Sequence, residues 1–378
     1  MKIIGIIAEY NPFHLGHLYQ IKKIKERYPN SIIITIISPS FTQRGEISIL
    51  NKWDKTKICL ENNIDLVVEL PTLYATQSAD TFAYGALNIL NELHIDTLVF
   101  GSESDDVDQL ISLANIQLNN NDYDKLVKKY LNEGINYPTA MSKALNSLTN
   151  VKIDKPNDLL ALSYIKEIIK NNYQITPISI KRTNDYHGKE INSKIINASL
   201  IRELLNNNQD ISKYVPAITL KYIKNSVNLD TAYNYLQYNI INNKEYLNEY
   251  LTIDEGIENR IIKEIRVSTN WQDLVMNIKT KRYTYNKINR MLLHILLNIK
   301  KTDNIKETYI RILGFNNAGR TYLNSIKKSI KIPVYSNYKS NKSRVFDLEY
   351  NVTYIYSLIT NDKSLIEKEY KNKPIIKN

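Results

Sequence analysis

Four short runs of uninterrupted apolar residues punctuate the first hundred positions: KIIGIIA (2–8), SIIITIIS (31–38), DLVVEL (65–70) and DTLVF (96–100). Runs of this length, with no alternating polar face, mark strands covered on both sides, as in a parallel sheet. Between them, apolar positions recur at helical spacing over 17–27, 52–63 and 78–93. Strand and helix in alternation predict an α/β protein with a doubly wound, Rossmann-like parallel sheet, whose ligand sites lie at the carboxyl ends of the strands. Helical segments continue to about residue 170, including PNDLLALSYIKEIIK (156–170). ITPISIK (175–181) then reads as a fifth strand returning to the sheet before NASLIRELL (197–205) opens another helix.

The pattern changes around NNNQDISKYVP (206–216). A boundary there gives two domains, 1–207 carrying the sheet and 208–378 mainly helical. One late stretch, SRVFDLEYNVTYIY (343–356), is rich in β-branched and aromatic residues and reads as a strand.

Composition narrows the class only a little. Hydrophobic and charged fractions of 43 % and 24 % are those of an ordinary soluble globular chain. The formal charge of +11 favours an anionic partner, but the Lys- and Asn-rich drift of the whole sequence weakens that inference, so the position of the charge matters more. The single cysteine, Cys59 in KTKICLENN, excludes an intrachain disulfide and reads as a small buried hydrophobe on a helix. KIIGII is interrupted by Glu9 and Asn11, and no apolar run reaches membrane-spanning length. A cytoplasmic protein is expected.

The first strand ends in GIIAEYNPFHLGH (5–17), which places His14 and His17 where the strand gives way to a helix. Pro12 disfavours helix at Asn11, and Gly16 lets a ligand approach the backbone. The helix start offers unpaired N–H groups and a partial positive charge, which suit phosphate. Two imidazoles at this mouth can stabilise charge that builds on phosphorus. The plainer reading is a pair of histidines capping a turn.

Strand-then-His-x-Gly-His resembles the nucleotidyltransferase superfamily, and the longer string GIIAEYNPFHLGHL resembles the bacterial tRNA(Met) cytidine acetate ligase family. Further blocks agree in order along the chain: FTQRGE (41–46), DLVVELP (65–71), QSADTFAYGA (77–86), LVFGSE (98–103), PNDLLALSYIKEI (156–168), KTKRYTYNKINRMLLHILL (279–297) and YIRILGFNNAGR (309–320). The resemblance implies an enzyme that activates acetate with ATP as acetyl-adenylate. The acetyl group then passes to N4 of the wobble cytidine of elongator tRNA(Met), giving N4-acetylcytidine. It implies an ATP-binding stretch of Ile7, Ala8, Glu9, Tyr10, Asn11, Pro12, Phe13, His14, Leu15, Gly16, His17, Leu18, Tyr19 and Gln20, joined by Gly101, Asn157 and Arg182. It also places a second phosphate-binding motif at NASLIRELL, with Ser199 and Arg202 as catalytic residues beside His14 and His17, and Asn197 in place of the usual serine. Asn157 reads equally well as a helix cap. Mg²⁺ is expected because ATP brings it, held by phosphates and water. No dedicated metal site and no protein partner are inferred.

FTQRGE follows the second strand, so Gln43 and Arg44 are candidates to meet a carboxylate or RNA; a solvated turn is the alternative. Asp80 and Glu103 are candidates for Mg²⁺ or ribose. Residues 279–301 carry seven basic residues and no acid. Ile288, Met291, Leu292, Ile295, Leu296 and Ile299 form one apolar face, with Lys287, Arg290, His294, Asn298 and Lys301 opposite. With Lys279, Lys281, Arg282 and the rings of Tyr283 and Tyr285 at its entry, this segment suits RNA phosphates and unpaired bases. A solvated surface helix is the plainer reading. Two other functions compete: a small-molecule adenylyltransferase of cofactor metabolism, and an RNA-binding protein with a remnant nucleotide site.

Overall fold

The computed structural model describes residues 1–182, 195–223, 227–303, 308–338 and 344–377. Its centre is an eight-stranded sheet: β1 (Ile3–Ala8), β2 (Ile32–Ile37), β3 (Leu66–Glu69), β4 (Thr97–Ser102), β5 (Thr176–Lys181), β6 (Ile310–Asn316), β7 (Val334–Tyr335) and β8 (Ile375–Lys377). The order is β5-β4-β1-β2-β3-β6-β7, with β8 also on β6. The first five strands are parallel, as the apolar runs predict; β2 is buried at all of its positions. Order reverses between β1 and its neighbours β2 and β4, so a crevice opens at the carboxyl end of β1.

The second half departs from the expectation of a separate helical body. β6 runs antiparallel on β3, and β7 and β8 pair along its other edge, so the sheet crosses the boundary placed at 207/208. β6 is one short strand contributed from far along the chain, with no second run beside it to announce a sheet. SRVFDLEYNVTYIY is not a strand: Arg344–Ile359 is a helix, and Ser343 lies outside the described residues. Val345, Leu348, Val352, Tyr356 and Ile359 are buried at spacings of three and four, so helical periodicity overrides local β propensity.

Apolar clusters cover both faces of the sheet, and a third fills the helical layer around Leu236, Trp271, Leu274, Ile288 and Leu292. Phe41 and Ile47 of the first half belong to that third cluster. The loop after β2 is therefore the joint between sheet and helical layer. Cys59 is fully buried on the helix Lys52–Glu61, as expected.

Candidate functional site

A cavity of about 1300 Å³ lies at the carboxyl ends of the strands. One wall is the β1 turn. His14 is the N-cap of the helix Leu15–Arg27, its Nδ1 accepting from Gly16 N at 3.0 Å; His17 Nδ1 accepts from His14 N at 3.1 Å. The capping and phosphate-binding readings are thus compatible: each ring uses Nδ1 on the backbone and keeps its proton on Nε2. The rings stack at 3.7 Å, and Tyr10, at φ 45°, packs edge-on against His17 at 4.7 Å. Burial and the nearby Arg182 guanidinium pull His14 down to about 3; burial, His14 and Arg182 hold His17 well below its ordinary value. Both rings are neutral N–H donors at physiological pH. Gly16 has no room for a side chain, since a Cβ would stand 2.8 Å from His14 Cε1.

Of the predicted stretch, Ile7, Ala8, Glu9, Tyr10, Asn11, His14, Gly16, His17, Tyr19 and Gln20 line the cavity. Pro12, Phe13, Leu15 and Leu18 do not; Phe13 is fully buried behind the turn. Gly101, Asn157 and Arg182 join the same wall. A Cβ on Gly101 would stand 3.4 Å from the Arg182 side chain, about ordinary contact distance, so the strand end and that arginine pack side by side. Arg182 Nε is buried without a hydrogen-bond partner among the described residues, and burial lowers its pKa. Asn157 is not a helix cap. Its Nδ2 donates to Glu103 Oε1 at 2.5 Å, while Glu103 Oε2 accepts from the backbone N–H of Asn157 and Asp158, so Glu103 closes that helix start and does not itself line the cavity.

The second motif reaches the same space. Asn197 caps Ala198–Asn206 by accepting from Leu200 N at 2.9 Å. Ser199 is exposed on the cavity wall. Arg202 donates to Asn11 O at 2.8 Å and pairs with Glu46 at 2.5 Å.

FTQRGE is not a solvated turn. Gln43 N donates to Glu9 Oε1 at 2.6 Å, Gln43 Nε2 to Gln77 O at 2.9 Å, and Gln43 O accepts from Arg290 Nη1 at 3.0 Å. Arg44 and Glu46 line the cavity. Asp80 also lines it and pairs with Lys166 at 2.6 Å. Among the described residues no three His, Cys, Asp or Glu side chains gather as a metal cage.

The opposite wall is the start of the helix Tyr285–Leu296, whose Lys287 and Arg290 face the cavity with Arg282 and Glu255. Its core face is as predicted. His294 is not on an open face: it is fully buried, within hydrogen-bond distance of Thr76 and Thr252 hydroxyls. Tyr283 is also buried, its hydroxyl donating to Glu255 at 3.0 Å, so its ring is no open stacking platform. Lys279 and Lys281 are exposed but off the cavity, and Arg282 pairs with Glu255 at 2.8 Å. The sequence reading missed the wall built by Tyr137, Met141, Lys143, Leu160 and Tyr164. These residues carry no spacing signal; only the fold brings them to the site.

A buried strand-end with neutral histidine donors and a helix start defines a nucleotide-handling site, and the chain matches the HIGH Nucleotidyl Transferase family over residues 1–372. The tRNA(Met) cytidine acetate ligase of Caldicellulosiruptor saccharolyticus is 37 % identical over 394 residues, covering 99 % of this chain and 98 % of that one. The protein of the same name from Bacillus subtilis is 34 % identical, with 99 % and 97 % covered. The crystal structure of Thermotoga maritima TmcAL bound with alpha-thio ATP superposes with a TM-score of 0.88 at 28 % identity, over 100 % of this chain and 99 % of that one. The chain belongs to the tRNA(Met) cytidine acetate ligase family.

Proposed function

We propose that this protein is an ATP-dependent ligase that joins acetate to N4 of the wobble cytidine of elongator tRNA(Met) through acetyl-adenylate. The observation that carries the reading is one cavity with two unlike walls: neutral His14 and His17 donors on one side, the cationic start of Tyr285–Leu296 on the other. Residues 1–207 would hold ATP and residues 208–378 would hold RNA. In the first step an acetate oxygen bonds to the α-phosphorus and the bond to pyrophosphate breaks. His14 and His17 Nε2–H groups and Arg182 face the charge that builds there, and Ser199 and Arg202 stand where the leaving pyrophosphate is steadied. In the second step the cytidine amine attacks the acetyl carbon, AMP departs, and the amine loses a proton. Orientation of the two substrates in one enclosed space supplies much of the rate.

The carboxylates on the wall, Glu9, Glu46, Asp80, Asp154 and Glu255, each have a partner and do not gather as a cage among the described residues, so Mg²⁺ would arrive as part of MgATP. Lys279, Lys281, Arg282 and Lys287 would guide the RNA backbone to the cavity mouth. Such a substrate places the protein in the cytoplasm, and no described helix is long and apolar enough to cross a membrane. The test is incubation with ATP, Mg²⁺, labelled acetate and unmodified elongator tRNA(Met), followed by digestion and mass spectrometry. N4-acetylcytidine at the wobble position establishes the reading. Labelled acetyl-adenylate without labelled RNA would retain the first half-reaction and reject the RNA assignment; absence of both would reject the ligase.

A further inference from the structure

Arg290, like Arg182 and Lys287 on the same cavity, differs from the cations that have a carboxylate partner among the described residues. Arg202 has Glu46, Arg282 has Glu255 and Lys166 has Asp80. Arg290, partly buried in the cavity wall, makes a single hydrogen bond among the described residues, from Nη1 to the Gln43 carbonyl, and stands in no ion pair with a described carboxylate. Removal from water, with no compensating charge, pulls its pKa down to about 10. A desolvated cation with no counter-charge is costly to keep.

Its position is also fixed. Gly45, at φ +74°, lies against the helix so closely that a Cβ would stand 2.7 Å from Arg290 N. The Gln43 peptide that receives Nη1 also donates to Glu9 at 2.6 Å. Glu9 Oε1 and Arg290 Nη1 are therefore at most roughly 9 Å apart, two hydrogen bonds and one residue's backbone. Glu9 directly follows the strand that leads into the His14 turn. The guanidinium is thus anchored at one nitrogen within reach of the nucleotide wall, and its remaining N–H groups are open to a planar, bidentate acceptor.

We propose that Arg290 is a further oxyanion-binding residue of this cavity, on its helical side, taking a carboxylate or phosphate oxygen pair that enters with substrate. The acyl donor's carboxylate is the nearer fit, because the exposed Lys279 and Lys281 lie off the cavity, where an RNA backbone would meet them before Arg290. An RNA phosphate is the other source of the same chemistry. Only the identity of the anion rests on the ligase reading.

The test is equilibrium stabilisation of full-length wild type, R290K and R290Q, with a non-hydrolysable ATP analogue filling the nucleotide site. Each is melted against sodium acetate and inorganic phosphate at constant ionic strength. Wild type should be stabilised by one of the anions. R290Q should need at least about tenfold more of it, and R290K, a charge without the fork, should fall between. A lost acetate response assigns the site to the acyl donor; a lost phosphate response assigns it to RNA. No anion response in wild type, or equal responses in all three proteins, overturns the proposal. Should R290Q not fold, R290K against wild type decides. Acetate-dependent exchange of pyrophosphate into ATP by wild type tests the ligase reading separately. Its absence with the anion response intact would remove that reading and leave the site.

Discussion

His17 has two separable duties, one on each ring nitrogen. Nδ1 closes the helix start, and the ring, with its proton on Nε2, lines the cavity. H17A should remove both, with a stability loss of about 1 kcal/mol for the missing cap bond and loss of acetyl-adenylate formation. H17N can still accept from His14 N, so it should regain most of that stability while staying inactive; recovery of pyrophosphate exchange in H17N would show that Nε2 is not needed. Transfer-RNA affinity should stay within about twofold in both, because the exposed cations are untouched. The buried histidines also set an acid limit. In the unfolded chain each protonates near 6.5, whereas folded His14 and His294 are held to about 3 and about 4, both by burial first. Below 6.5 the unfolded chain binds more protons, so stability falls as pH falls, by roughly 1.4 kcal/mol per unit for each ring. Glu349, raised by burial and by Glu69, works in the opposite sense. The check is therefore a difference: between pH 7 and pH 5 the urea-unfolding free energy should fall by about 2 kcal/mol less in H294Q than in wild type. The HLGH motif was legible because its chemistry is local. The fate of His294 was not, because only packing tells a buried helix flank from an exposed one.

At the scale of elements, loop 41–47 ties three parts of the site together. Gln43 meets Glu9 and Arg290, Glu46 meets Arg202, and Gly45 lies on the helix Tyr285–Leu296. G45A brings a positive φ and a Cβ 2.7 Å from Arg290 N and Asn289 C into conflict with that contact. It should cost about 2 kcal/mol or more in urea unfolding, and a loss below about 0.5 kcal/mol would show the loop to be free of the helix. The outer cations answer to a different measurement. Charge loss at exposed Lys281 should reduce the slope of log affinity for tRNA against log salt by about one and leave pyrophosphate exchange unchanged. R282Q should do less, since Arg282 is already paired with Glu255. The helix and its core face were legible from 3.6-residue periodicity, and FTQRGE was legible as a strand-end loop. Its role as a joint was not, because its partners lie some 250 residues away on the helix, at Asn289 and Arg290.

The whole molecule is held across the predicted domain boundary by charge as well as by strands. Lys52 lies between Glu69 at 2.9 Å and Glu369 at 2.8 Å, and Arg311 of β6 pairs with Glu369, all fully or nearly fully buried. Removing one partner from such a group leaves buried charge uncompensated, so E369A should cost about 3–5 kcal/mol. The sequence indicated five parallel strands because each is a run of its own. The three later strands were not legible, since β6 owes its place to β3 and to these buried charges rather than to a local pattern. The two tryptophans report on the two regions. Trp53 lies 5.7 Å from the Arg311 guanidinium beside the sheet, and Trp271 donates to Asn289 at 2.8 Å in the helical layer. Single-tryptophan proteins made by W53F and W271F should therefore unfold in urea with coincident midpoints, because neither region keeps its core without the other. Midpoints that separate, with Trp271 lost first and Trp53 still native, would mean that residues 1–207 hold their sheet without β6 and that the boundary read from the sequence is also a boundary of folding.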